Sequence, residues 1–184
     1  MKTKYHIMVS VMATLISAVA IGAGTQSTGG QVHFTGEITE DSCNINSGSS
    51  NQVIDLGKWS KDYFTNSVIE TTKIPFNISV ANCPQSVKTV AVLFDGVVDI
   101  NNKTLLSINS GTGNATGVGI KIYEDDRSSA ITLGTATNAH SVVKGSGSAG
   151  GTANLTFFAD YMANGTTISP GQANSTADFN MVYN

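Results

Sequence analysis

Gly30, Val32, Phe34 and Gly36 fall at every second position, with Gln31, His33, Thr35 and Glu37 between them. In a β-strand this spacing puts the first set on one face and the second on the other. The period returns at the far end, where Phe179, Met181 and Tyr183 alternate with Asp178 and Asn180, and only Val182 breaks the polarity. Each terminal strand has one face to bury, so each needs a sheet or groove to receive it. No further strand follows Asn184 to cover the last one. The expectation is therefore a fold that lacks a strand at its C-terminal edge and carries a spare one at its N-terminus.

The segments between are short alternations separated by turns. Thr35–Ile45 continues as a strand carrying Cys43, and Ser47–Asn51 is a turn cluster. Val53–Gly57 reads as a short strand with Val53 and Asp55 on one face, Ile54 and Leu56 on the other. Trp59–Val68 reads as a loop or a single helical turn. Thr72–Val80 is a strand with Ile74, Phe76, Ile78 and Val80 on one face, closed by Cys83 and Pro84. Val87–Phe94 follows, then the Asp95-Gly96 turn, a short strand over Lys103–Ile108, and Val118–Tyr123. Ile131–Leu133 and Ala139–Val143 read as edge pieces, Lys144–Gly151 as a mobile Gly/Ser loop, and Leu155–Met162 and Thr176–Asn184 as the last strands. Eight to ten short strands without a useful helix point to an all-β, immunoglobulin-like β-sandwich in one domain.

The first residues read as a targeting signal. Lys2 and Lys4 precede a mostly apolar run, Ile7–Ile21, and small residues from Ala18 to Gly24 offer cleavage sites. An uncleaved anchor is the rival reading, but a spanning helix needs about 20 apolar residues and the run is short for that. Cleavage after residue 23 removes two of the ten basic residues and leaves eight against 13 acidic ones. No basic cluster remains, which argues against a nucleic-acid partner. Cys43 and Cys83, the only cysteines of an exported chain, read as one disulfide. Their separation does not suit CxxC redox chemistry, and two thiols without nearby histidines make a poor zinc site.

No catalytic, metal or cofactor constellation stands out. His33 lies on the polar face of the arm and His140 in a polar edge segment, so both read as solvated. Glu124-Asp125-Asp126 reads as a solvated acidic turn. The Gly-rich tract at 145–151 lacks the Lys-Ser/Thr of a phosphate loop. Trp59, Tyr63 and Phe64 could stack on a sugar, although packing among themselves is the simpler use. The Asn-x-Ser/Thr triplets follow from composition, and the one at Asn77 falls inside a strand.

The residues together resemble the major fimbrial subunits of the chaperone–usher pathway, the type 1-like pilins. The resemblance is carried by Gly-Gly-x-Val-x-Phe-x-Gly at Gly29–Gly36, Asp41-Ser42-Cys43, Asn82-Cys83, Gly171 as fourteenth residue from the end, and the penultimate Tyr183. It implies a signal peptide at 1–23, a donor-strand arm at 24–36 and a pilin domain at 37–184. It implies an incomplete sandwich whose open groove is filled first by a periplasmic chaperone, along a strand carrying Gly171, Phe179, Met181 and Tyr183. At an outer-membrane usher the arm of the next subunit, with Gly30, Val32, Phe34 and Gly36, would replace the chaperone. The expected product is an adhesive fimbria of identical or related subunits on the cell surface, with no membrane insertion of the mature chain. A minor adaptor or a lectin-like adhesin of the same kind of fimbria is the alternative.

Overall fold

The longest strand, β7 (Gly151–Ala163), is the axis of the larger sheet. Ala153, Leu155, Phe157 and Ala159 face inward and are buried. The computed structural model describes residues 30–36, 38, 42–65, 69–147 and 149–184. These fall into two units divided between Glu37 and Ile38, and each is taken by itself. In the first, residues 30–36 form no regular secondary structure, with Val32 75% and Phe34 92% exposed. The expected signal peptide and residues 24–29 of the expected arm lie outside the described residues.

The second unit has two sheets. The larger runs β1 (Asn44–Ile45), β2 (Ile74–Cys83), β7, β5 (Val118–Tyr123), β4 (Leu106–Ser107), and the smaller runs β6 (His140–Ser141), β3 (Thr89–Asp95), β8 (Asp178–Tyr183). Every strand pairing is antiparallel. Ile78 and Val80 of β2 face Val90, Val92 and Phe94 of β3 in the core between the sheets. Phe94 and Phe157 meet edge-on with centroids 5.1 Å apart, and Phe76 lies 5.7 Å from Phe157. Such aromatic pairs add about 0.5–1.5 kcal/mol beyond their buried area. This is the expected two-sheet, immunoglobulin-like sandwich, and Cys43 and Cys83 form the expected disulfide.

Several expected strands are shorter than their alternation suggests. Of Thr35–Ile45 only β1 pairs within the described residues, of Lys103–Ile108 only β4, and Ile131–Leu133 forms no strand. Val53–Gly57 alternates as read but is not a strand, because among the described residues its backbone pairs with no other strand. The turn cluster closes into the one-turn helix α1 (Ser47–Ser50), and Lys61–Tyr63 forms a 3-10 turn. The Gly/Ser tract contributes Gly151 to β7, while Lys144 Nζ donates to the carbonyls of Gln85 at 2.9 Å and of Val87.

Two residues read as solvated are not. His140 stands opposite Val90 on the inward face, with its ring 6.5 Å from Phe157 and its Nε2 buried. Glu124 follows β5 at an inward position, is buried, and accepts from the Asn138 amide at 2.8 Å through Oε1. Asp125 and Asp126 do face water. Among the described residues no helix is long and apolar enough to cross a membrane.

Candidate functional site

An open groove runs between the sheets along the outer edge of β8. One rail is the extended segment Val53–Leu56, whose Ile54 and Leu56 side chains line the groove while Val53 and Asp55 face water. Gly57 ends this rail at φ +81, a left-handed conformation that glycine adopts without strain, and its amide donates to Asp55 Oδ1 at 2.9 Å. Trp59 Nε1 then donates to the Leu56 carbonyl at 2.8 Å. Tyr63 lies 4.7 Å from the Trp59 ring and 5.9 Å from Phe64, so the three aromatics pack on one another at the end of this rail.

The other rail is the C-terminal stretch. Ala173, Ser175, Ala177, Phe179, Met181 and Tyr183 are half-buried, and residues 172, 174, 176, 178 and 180 are exposed. Along one side this stretch is engaged at both ends. β8 pairs with β3 from Asp178↔Asp95 to Tyr183↔Val90, and Gln172 exchanges backbone bonds with Gly113 and Ala115. Tyr161 of β7 pins it from beneath, its hydroxyl donating to the Ala173 carbonyl at 2.9 Å. Gly171 fixes the far end: a Cβ there would stand 2.3 Å from the Asn114 carbonyl carbon and 2.4 Å from the Ala115 nitrogen. Close backbone approach, with no need for positive φ, is what makes glycine necessary at this position.

Phe76, Ile78, Phe94, Ile120, Ile122 and Ala159 form the apolar floor. Two cavities, of about 470 and 650 Å³, adjoin at Ile54 and Leu56 and together follow the rails from Phe179 to Gly171. Side chains on the C-terminal rail grow from glycine and alanine at one end to phenylalanine, methionine and tyrosine at the other. At that end Tyr183 reaches across, its hydroxyl donating to the Cys43 carbonyl at 3.3 Å. Burial holds the Tyr183 phenol above its usual range, so it remains a donor.

The two rails share a deficit. Among the described residues, Val53–Leu56 make no backbone–backbone hydrogen bond, and the edge of β8 away from β3 pairs with no strand. Backbone N–H and C=O groups are rarely left unpaired beside an apolar floor. An extended segment laid between the rails would satisfy both rows at once and cover the floor.

Gly171 and Phe179 thus line the groove, and Met181 and Tyr183 continue the same rail beyond its cavities. Gly30, Val32, Phe34 and Gly36 belong to the other unit. Ile54, Leu56 and Tyr161 were not singled out from sequence as part of a site, although the alternation at 53–56 was visible there. Among the described residues no group of three or more His, Cys, Asp or Glu is placed to hold a metal ion.

The comparisons with known proteins agree with this geometry. The family model described as "Fimbrial protein" matches residues 32–184. The chain is 37% identical to the fimbrial-like protein SfmA of Escherichia coli K12 over 98% of its length and 99% of that protein. It is 32% identical to the type 1 fimbrial subunit of Salmonella typhimurium, with the same coverages of 98% and 99%. Among solved structures, a subunit of a chaperone–usher pilus superposes with a TM-score of 0.62 at 23% identity, covering 88% of this chain and 100% of that one. The P pilus rod subunit PapA superposes with a TM-score of 0.61 at 20% identity, covering 77% and 99%. These two establish the fold, and the curated relatives with the family model establish the kinship. An all-β sandwich with one bridging disulfide and an apolar groove at its C-terminal strand is thereby placed: the chain belongs to the fimbrial protein family.

Proposed function

We propose that this chain is a structural subunit of an adhesive surface fimbria, joined to its neighbours by donor-strand exchange. The observation that carries the reading is the six-residue free edge of β8 above an apolar floor, facing a second unpaired rail. The arm 24–36 of the next copy fills the groove of the copy before it. Val32 and Phe34 enter the apolar slot, while Gly30 and Gly36 let the backbones approach where a side chain would not fit. Burial of Val32 and Phe34 is worth about 1.5–3 kcal/mol each. Each new backbone bond adds about 0.5–1.5 kcal/mol. A joint of this kind is tight without a covalent link, and slow unfolding makes it durable.

Before assembly, the groove along Gly171, Phe179, Met181 and Tyr183 is held by a periplasmic chaperone strand, and an outer-membrane usher hosts the exchange. The residues 1–23 act as the export signal.

Deletion of residues 24–35 tests this. The truncated subunit should still bind chaperone and accept a neighbour's arm in its own groove, yet fail to enter a neighbour's groove. Detergent-treated wild-type material should run as a ladder of oligomers that collapses only near boiling, and the truncated form should give none. A truncated subunit that polymerises normally overturns the proposal.

A further inference from the structure

Asp160 sits on the outward face of β7, where a carboxylate ordinarily meets water, yet it is 0% exposed. It is covered from both sides. From the run Glu70–Lys73, which extends β2 and binds β7 through Thr71 N–H to the Tyr161 carbonyl at 2.9 Å, come Glu70 and Lys73. From β5 come Lys121, directly opposite Asp160 in the ladder, and Tyr123. Arg127 lies on the same face, 5.0 Å from the Phe158 ring.

The Tyr123 hydroxyl lies 3.4 Å from both Asp160 oxygens and 3.1 Å from Glu70 Oε2. Glu70 Oε1 in turn is 3.3 Å from Lys73 Nζ, which stands 4.1 Å over the Tyr123 ring. One hydroxyl hydrogen cannot serve two carboxylates. If both were ionised, Asp160 would be a fully buried charge facing a second anion across a phenol. Burial and the two carboxylates hold the Tyr123 phenol above its usual range, so it keeps its proton.

We infer that Asp160, Tyr123, Glu70 and Lys73 form a proton-sharing latch: the Asp160 carboxylic acid donates to the Tyr123 oxygen, and the Tyr123 hydroxyl donates to the Glu70 carboxylate, which the Lys73 ammonium balances. Loss of the Asp160 proton breaks the first link and loosens the 69–73 run from β7. Burial first, and then the Glu70 charge, push the Asp160 carboxyl up to about 7, against the opposing pull of Lys73, the Tyr123 hydroxyl and Lys121. The folded state therefore holds a proton that the unfolded chain, with an ordinary aspartate near pKa 4, has already released. The stabilisation is complete below that ordinary value and lost as pH rises towards about 7. The latch tightens in mildly acidic surroundings and slackens in neutral ones.

The test is denaturant unfolding of the purified full chain from about pH 5 to about pH 8, with infrared detection of protonated carboxyl. Between about pH 5 and about pH 7 the wild-type unfolding constant should rise by up to about tenfold per pH unit and then level off. Asp160→Asn keeps a donor to Tyr123 at every pH and should flatten this dependence. The amides of Thr71 and Ala163, which bond to the Tyr161 and Ile69 carbonyls, should exchange faster above neutrality once intrinsic exchange is corrected. A pH-independent wild type, or Asp160→Asn with an unchanged slope, overturns the inference. Should Asp160→Asn not fold, the wild-type spectrum decides: a carboxylic acid band that persists near pH 6 supports the latch, and its absence there refutes it.

Discussion

Among the described residues, the four sheet edges of the sandwich are built in two ways. β1, β4 and β6 are two residues long, so each offers almost no row of free backbone groups. Such short edges are a common defence against unwanted strand pairing. The fourth edge, β8, is six residues long, carries Phe179, Met181 and Tyr183 on its inward face, and borders an apolar floor. Three edges are blunted and one is left open, in the same domain and against the same core. One border of the fold thus differs from the other three in leaving a long row of backbone groups bare. Under the proposed donor-strand joint, the open edge is the border along which a polymer would grow.

Paired substitutions on the two flanks would break this comparison or sharpen it. The largest effect is expected at Phe157, which is fully buried in the closed core. Phe157→Ala should lose about 3–5 kcal/mol of unfolding free energy. That loss should be the same with the groove empty or filled by an added strand. Phe179→Ala on the open flank should cost clearly less while the groove is empty, because its side chain is only half-buried there. The cost should grow towards that of Phe157→Ala once a strand covers it. Denaturant titration of both variants, with and without a strand supplied in cis, reads the difference, and equal costs for Phe179→Ala in the two states would remove the distinction between flanks.

A middling effect is expected at Gly171. It is exposed, yet a single methyl there meets the Asn114–Ala115 backbone. Gly171→Ala should cost about 1–3 kcal/mol, as overpacking does, and slow assembly by displacing the rail. An Ala variant as stable as the parent would mean that the rail yields freely. The smallest effect belongs to Tyr183→Phe, which deletes only the hydrogen bond to the Cys43 carbonyl across the end of the groove. About 0.5–1.5 kcal/mol is expected, visible as a shift in the denaturant midpoint without change in its slope.

The period-two pattern located β2, β3, β5, β7 and β8 in the sequence, because each has a core face that side-chain chemistry alone marks. It overestimated the edge pieces. Lys103–Ile108 and Val53–Gly57 alternate as strands should, but a strand exists only where a second backbone meets it, and only Leu106–Ser107 of the first has that partner. Polar residues misled in the opposite direction. His140 and Glu124 look solvated by type, and the sandwich places them at inward positions. Asp160 was passed over inside the Leu155–Met162 strand, although a carboxylate interrupting an apolar aromatic run was a signal that could have been used. Its burial depends on the 69–73 run, far back along the chain, and on Tyr123, which is 37 residues away. For the groove, Phe179, Met181, Tyr183 and Gly171 were legible as a rail. Its opposite rail and its floor were not, since Ile54, Phe76 and Ile120 come together only after the sheets have packed.

By itself the amino-acid order determined which faces are apolar, that two cysteines close a loop, and that the final strand has one greasy side. Those properties are local, set by side-chain type at every second residue. The tertiary structure alone decided which backbone edges find partners and which stay bare, and which acids are cut off from water. Both depend on what arrives from distant parts of the chain, and neither hydrogen-bond pairing nor desolvation is a property of any residue taken singly.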